Sequence, residues 1–442
     1  MSIPTRFTAA AFFVFALVST TQGQVQAPVQ ASTQAQALPA ADDFNALRGP
    51  AAAGDARAQF ALGNDYIDGR GVAQDYGQAV IWYRKSAAQG YAPALNQLGY
   101  MYQNKFGLPR YYKRALYYYR LAAKKGNALA EYNLGAMYQS GLQVHRDYKQ
   151  AFEWYRKAAD QNLADAENEV GYFYRSGWGV QRDYAQALDW YRRAASHGSS
   201  DAETNLGFMA EKGWGQPQSY DQAFSWYYRA ADHGNAGAMD NIGYNFQNGV
   251  GVAIDLAQAW SWLCQAAALG SASAENQLGK MYQYGEGVQA DDATAVALYS
   301  LSAAQGNTSG KDNLGDLCAD LYESGDKLCH SDIIPVSDPA IEMIQRRANI
   351  RDLRAQITGL ETDALQDDIS ADHLANLGKN GKSKKNDITK SITKVMDGVG
   401  TVLSVNPRLD AANRREQAAR LREELVQLES LDQSANIPPP AP

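Results

Sequence analysis

Only three cysteines and five histidines occur in the 442 residues. So few cysteines exclude a disulfide-stapled small fold, and no Cys-x-x-Cys pair is present to hold zinc or exchange electrons. The histidines (His145, His197, His233, His330 and His373) are scattered. No His-Glu-x-x-His or Gly-x-Ser-x-Gly occurs, so neither a zinc-protease helix nor a hydrolase elbow is available. No metal and no cofactor is expected. An excess of base is also missing: the net charge is −7, which argues against nucleic acid as a partner. The N-terminal apolar run from Ala9 to Val18 has ten residues, about half of the ~20 that a membrane span needs. Preceded by a weakly basic start and followed by small polar residues up to Gly23, it reads as a cleavable signal peptide, 1–23. Residues 24–50, rich in Gln, Ala and Pro, read as a flexible linker. Export to a periplasm or to the outside is therefore expected. In such an oxidising place Cys318 and Cys329 can close one loop and leave Cys264 as a buried thiol, although three cysteines do not fix the pairing.

What the chain has in quantity is tyrosine (27) and glycine (38), and the glycines are periodic. Gly63, Gly99, Gly135, Gly171, Gly207, Gly243, Gly279 and Gly315 follow one another at 36 residues. An alanine stands five before each of the first seven, from Ala58 to Ala274. A fixed period of this length marks stacked supersecondary units. Within a unit, an Ala-x-x-x-Leu-Gly stretch leading to an aromatic predicts a first helix, A, closed by a glycine turn such as Gly177-Trp178-Gly179. A second helix, B, opens with a cap, Asp75, Asp147, Asp183, Ser219 or Asp255, each with Gln three residues on. It continues through Trp-Tyr pairs (Trp82-Tyr83, Trp154-Tyr155, Trp190-Tyr191, Trp226-Tyr227) and ends on Gly90, Gly126, Gly198, Gly234, Gly270 or Gly306, with Asn162 in that column once. His197 and His233 precede two of these glycines, where a helix C-terminus favours partial positive charge. Most of the acids fall to caps and exposed faces in this reading.

The motif Ala-x-x-x-Leu-Gly-x-x-Tyr-x-x-Gly-x-Gly-Val-x-x-Asp-x-x-x-Ala-x-x-Trp-Tyr-x-x-Ala-Ala resembles the Sel-one-like repeat (SLR) family of the tetratricopeptide-repeat superfamily. The resemblance implies an all-α fold: a right-handed α/α superhelical solenoid at 51–330, of seven repeats and a degenerate capping repeat, with helix A on the concave face. Repeat two departs from the pattern at Lys105 and Tyr111. Beyond Pro339 the period is lost. Met343, Ile350, Leu353, Ile357, Leu360 and Ala364, and later Ala418, Leu421, Leu425 and Leu428, keep heptad spacing with Arg346 as an interruption. Two amphipathic helices, 339–377 and 405–432, are expected to pair as a coiled-coil hairpin. Between them, 378–403 holds a Lys-rich stretch, Lys379 to Lys394, with a short amphipathic helix that reads as a solvated linker or as a membrane-surface contact. The tail, 433–442, reads as disordered.

With caps, turns and core assigned, the open positions of helix A remain. One column reads Gln97, Asn133, Glu169, Asn205, Asn241, Gln277 and Asn313; a second Tyr100, Tyr172, Phe208 and Tyr244; a third Gln103, Gln139, Arg175, Glu211, Gln247 and Gln283. Amides can serve peptide backbones or sugar hydroxyls, and aromatic faces stack on apolar rings. The alternative is that the amides bridge neighbouring repeats and the aromatics pack. The expected function is a non-catalytic exported scaffold that binds a protein partner in its concave groove. The resemblance implies envelope regulation or assembly of exported polysaccharide. A glycan- or peptidoglycan-binding envelope protein is the alternative. A secreted host-interaction factor and a β-lactam-binding enzyme are weaker alternatives, since the Cys pair of the β-lactam-binding relatives is absent.

Overall fold

The computed structural model describes residues 44–323, 329, 338–379 and 407–432. The expected signal peptide at 1–23, residues 24–43, the Lys-rich stretch beyond Lys379 and the tail after Asp432 lie outside the described residues. Among those described there are eighteen helices and no strand. After α1 (Phe44–Ala52), A helices alternate with B helices. The A helices are α2 (Ala56–Asp68), α4 (Ala92–Asn104), α6 (Ala128–Ser140), α8 (Ala164–Ser176), α10 (Ser200–Lys212), α12 (Ala236–Asn248), α14 (Ala272–Tyr284) and α16 (Thr308–Glu323). The B helices are α3 (Tyr76–Ala88), α5 (Tyr112–Ala123), α7 (Tyr148–Ala159), α9 (Tyr184–Ser196), α11 (Tyr220–Asp232), α13 (Leu256–Ala268) and α15 (Asp292–Ala304). Each helix packs on the next in sequence, so the repeats form a solenoid. Successive A helices also touch directly (α10 with α12, α14 with α16), whereas no two B helices make comparable contact. The A helices therefore line the inner, tighter side.

Local chemistry sets the boundaries. Asp75, Asp147, Asp183, Ser219 and Asp255 each accept the backbone N–H of the residue three later, which satisfies one orphan donor of helix B. Helix A of most repeats stops at a glycine in the left-handed region, such as Gly177 at φ 75°. Lys105 takes the same conformation at φ 63° in repeat two, and Asn162 does so at φ 62° after α7.

Inside six of the seven repeats the glycine of helix A is a seat for the tyrosine of helix B, and in repeat six Gly243 seats Leu263 instead. A Cβ on Gly99 would lie 2.6 Å from the Tyr119 ring, and one on Gly171 would lie 2.8 Å from Tyr191. Tyr83, Tyr119, Tyr191, Tyr227 and Tyr299 are each fully buried there. This close approach lets a large ring fill the space between two helices at interior packing density.

Two features depart from the sequence reading. The last part of the supposed linker is helical: α1 begins at Phe44, buries Leu47 and Ala51 against Ala58 and Leu62, and sets Phe44 edge-on to Tyr66 at 5.4 Å. Its apolar spacing covers the face of α2 that a preceding repeat would otherwise cover. The second correction concerns acids. Glu167, Glu203 and Glu275 on the A helices have no exposed surface, so the assignment of acids to caps and exposed faces fails in this column. Each carboxylate is bonded to the end of its own helix B, which makes its burial tolerable.

After the array, α17 (Pro339–Lys379) and α18 (Pro407–Asp432) form an antiparallel hairpin. Arg347 meets Asp432 at 3.0 Å, Arg354 meets Glu429 at 2.7 Å, and Arg415 pairs with Asp368. Arg346, the break in the heptad spacing, donates to the Leu431 carbonyl at 3.1 Å. Helix α17 also braces the solenoid. Ile341 and Ile344 are buried in the core cluster that holds Met281 and Leu298 of repeat seven. Further along, the Thr362 hydroxyl donates to the Lys105 carbonyl (2.9 Å) and accepts the Gly107 N–H (3.2 Å), while Asp363 pairs with Lys105 at 2.8 Å. Between Ile344 and Thr362 the helix advances about 27 Å, at 1.5 Å per residue. It thereby ties repeat seven to repeat two. Cys318 and Cys329 form a disulfide (S–S 2.02 Å) and Cys264 is buried.

Candidate functional site: the inner face of the A helices

The three helix A columns lie on one side of the solenoid, and the structure gives each column its own neighbours. In the first, the amides reach back to the preceding repeat. Asn133 donates to Asn96 at 3.0 Å, Asn205 to Asn168 at 2.9 Å, Gln277 to Asp240 at 2.6 Å and Asn313 to Asn276 at 2.7 Å. Gln97 lies within reach of the Tyr83 hydroxyl, and Asn241 is half-buried. This is a ladder of amides between repeats. Asp240, which accepts from Gln277, has its carboxyl raised to about 6 because burial outweighs those hydrogen bonds.

The third column serves the buried tyrosines. The hydroxyls of Tyr119, Tyr155 and Tyr299 donate to Gln103 (2.9 Å), Gln139 (2.6 Å) and Gln283 (2.8 Å), and Tyr227 donates to Glu211 at 3.1 Å. Repeat six has Leu263 in place of the tyrosine, and Gln247 there turns to Glu286 at 3.0 Å. Repeat four has Arg175, which offers no acceptor. The Tyr191 hydroxyl is accordingly buried without a partner.

The second column forms aromatic panels with the turn residues. Tyr100 faces Phe106 at 5.8 Å, Tyr172 meets Trp178 edge-on at 5.2 Å, and Phe208 meets Trp214 edge-on at 5.3 Å. Tyr148 and Tyr184 extend the two tryptophan panels at 4.9 Å and 5.2 Å. The Arg175 guanidinium lies over both Tyr172 (4.8 Å) and Phe208 (5.7 Å) and donates to Asn205 at 3.0 Å. Tyr244 is 40% exposed and Tyr284, the last residue of α14, is 67% exposed.

Glu169 stands apart within its column. It is half-buried, and Asp165 on the same helix and Asp201 on α10 lie close enough to repel it. Desolvation chiefly, then Asp201 and Asp165, push its carboxyl up to about 7 against the opposing pull of Arg175.

Sequence reasoning missed the buried acid column. Glu167 takes Arg193 at 2.5 Å and His197 Nδ1 at 2.7 Å; Glu203 takes Arg229 at 2.6 Å and His233 Nδ1 at 2.8 Å. Glu131 and Glu275 accept from Gln161 (2.6 Å) and Gln305 (2.7 Å). In repeat seven Leu301 replaces the basic residue, and Arg351 of α17 approaches Glu275 instead, at 3.8 Å. The signal was present in the sequence: where a repeat has Glu four before its glycine, residues 26 and 30 later tend to be basic and His or Gln. Among the described residues no three His, Cys, Asp or Glu side chains are grouped to hold a metal, and no helix is long and apolar enough to cross a membrane. A cavity of about 610 Å³ opens at the other end of the array, among Phe44, Arg48, Tyr66, Gln78 and Trp82.

Seven interlocking helix pairs with a continuous inner face define a solenoid scaffold. The family model of the Sel1 repeat matches seven consecutive segments, 56–91, 92–127, 128–163, 164–199, 200–235, 236–271 and 272–307. The chain belongs to the Sel1 repeat family, whose members are generally non-catalytic scaffolds that mediate protein–protein interaction. Among solved structures it is similar to a Sel1 repeat protein from Oxalobacter formigenes, with 29% identity over 55% of this chain and 96% of that one, at a TM-score of 0.50. It is also similar to a protective antigen of uropathogenic Escherichia coli displaying an SLR fold, with 25% identity, 89% and 94% covered, and a TM-score of 0.48. An immunity protein from Pseudomonas aeruginosa is 21% identical, with 50% and 83% covered and a TM-score of 0.39. No curated protein matches the chain.

Proposed function

We propose that the protein is an exported, non-catalytic scaffold whose inner face holds an extended segment of a protein partner, in the service of envelope regulation or of the assembly of exported polysaccharide. The observation that carries this reading is the state of the inner face. The amides and glutamines are largely engaged within the solenoid, and what is left for a partner is aromatic: the half-buried Trp178 and Trp214 panels and the exposed rings of Tyr244 and Tyr284. Aromatic rings supply large contact area at low entropy cost, and they are enriched at protein interfaces. Export is supported by the apolar run at 9–18 and by the Cys318–Cys329 disulfide.

The test is recovery of partners from envelope extract with the native protein and with a Tyr244→Ser, Tyr284→Ser variant, in which two exposed rings are removed. Loss of a recovered partner is expected while the melting temperature holds. Equal recovery would refute the groove. The same exposed rings favour, as a second reading, stacking against sugar rings. Co-sedimentation with purified polysaccharide checks it, and absence of binding removes it.

A further inference from the structure

Repeats four and five differ from their neighbours on the inner face. Asp165 and Asp201 occupy equivalent positions in the first turns of α8 and α10, where the other repeats have Arg57, Pro93, Leu129, Gly237 and Ser273. Glu169, one turn beyond Asp165, is the acid in a column otherwise dominated by amides. Three carboxylates thus converge on one inter-repeat step. Their surroundings offer little compensation: Asn235 donates to Asp201 at 2.7 Å, but Arg175, the nearest cation, is turned to Asn205 and to the Tyr172 and Phe208 rings. A second observation comes from helix B. The Tyr191 ring sits on Gly171 like its counterparts, yet its hydroxyl, fully buried, finds no partner and lies in the field of Arg175, Glu169 and Tyr172. In the sister repeats this hydroxyl is satisfied by Gln103, Gln139 or Gln283. A buried polar group left open is destabilising, because it has lost its water and gained no partner. An open hydroxyl beside a cluster of carboxylates is what a donor-rich ligand group would complete.

We propose that the step between repeats four and five is a subsite for a basic side chain, lysine or arginine, of the bound partner segment, with Glu169, Asp165 and Asp201 taking its charge. The proposal rests on the groove reading above and gives the partner its chemistry. It also sets a pH dependence. Glu169 faces Asp165 on its own helix, Asp201 on α10, Arg175, and the Tyr132, Tyr155 and Tyr191 rings of α6, α7 and α9. Its carboxyl, raised to about 7 chiefly by desolvation and then by Asp201 and Asp165, must ionise to hold a cation. Binding therefore tightens as pH rises from 6 to 8.

The experiment uses the full chain and a fluorescein-labelled peptide of six Gly-Lys units, followed by anisotropy, with the fully acetylated peptide as control. The Lys peptide is expected to bind at least tenfold more tightly than the acetylated one. Glu169→Gln is expected to lose about tenfold and to abolish the pH dependence. Gln97 and Gln277 occupy the same column, so this substitution suits the fold. Asp221→Asn, on the exposed first turn of α11, removes the same unit of charge and is expected to change nothing. Equal binding of the two peptides, or equal behaviour of Glu169→Gln and Asp221→Asn, would overturn the subsite. Continued loss of partner recovery in the Tyr244, Tyr284 variant would then leave the groove standing without it.

Discussion

The glycine column makes a sharp test because one substitution should have opposite signs at two of its members. At Gly207 a Cβ would lie 2.6 Å from Cδ1 and Cε1 of Tyr227 and 3.1 Å from the Ala223 carbonyl oxygen. The ring cannot retreat, since it is fully buried and its hydroxyl is tied to Glu211, which also accepts from Asn245 at 3.3 Å. Helices α10 and α11 must therefore separate by most of an ångström, and overpacking of this kind costs about 1–3 kcal/mol. With backbone movement required, the upper end applies. Alanine regains roughly 1 kcal/mol of helix propensity over glycine, so Gly207→Ala should destabilise by about 2 kcal/mol. Gly315 stands in the same column of α16, is exposed, and has nothing within 4 Å of its would-be Cβ. Gly315→Ala should stabilise by about 1 kcal/mol, the propensity gain alone. Urea unfolding followed by circular dichroism measures both, provided that the slope is unchanged between variants. Gly207→Ala as stable as the native chain, or Gly315→Ala the more harmful of the pair, would refute the reasoning.

Other predictions follow from the buried acids and tyrosines. Arg229→Met leaves the Glu203 carboxylate with His233 alone, and a loss of about 3 kcal/mol is expected on thermal or urea unfolding; adding Glu203→Gln should recover much of it, and no recovery would mean that packing and not charge was lost. Tyr155→Phe forfeits the bond to Gln139 and should cost about 1 kcal/mol, whereas Tyr191→Phe deletes an unpartnered hydroxyl and should be neutral or stabilising; equal costs would refute the pairing scheme. Glu275 is raised from 4.5 to about 7, by desolvation against the pull of Arg351 and Gln305. Its folded form binds the proton more tightly than its unfolded form, so its contribution to stability falls as pH rises from about 4.5 to 7. Glu275→Gln should gain on the order of 3 kcal/mol relative to native across that window, read as the difference in melting temperature at pH 4.5 and pH 8. Finally, a thiol count on denatured, unreduced protein should find one free thiol, Cys264; three would rule out the bridge.

How far the sequence carries can be judged column by column. The 36-residue period, the Asp and Ser caps, the glycine turns and the A–B helix pairing were all legible, because each depends on local backbone demands or on spacing along one helix. The heptad stretches after Pro339 likewise announced two helices, and Arg346 stood out as a break. The buried Glu column was written in the sequence too, but only as a correlation between residues 26 and 30 apart; composition alone sends a glutamate to the surface.

Other features belonged to the tertiary structure. Gly207 and Gly315 look alike in sequence, yet one seats a tyrosine and the other faces solvent, since only packing decides what approaches a missing Cβ. Which inner-face amides are engaged depends on side chains 37 residues apart meeting across neighbouring A helices, a product of the superhelical step and not of any motif. That α17 reaches back from repeat seven to Lys105 and Gly107 of repeat two followed from the curvature of the whole array. Sequence fixes what each helix can bury and how it is capped. The turn-by-turn accumulation of repeat on repeat decides which distant surfaces meet.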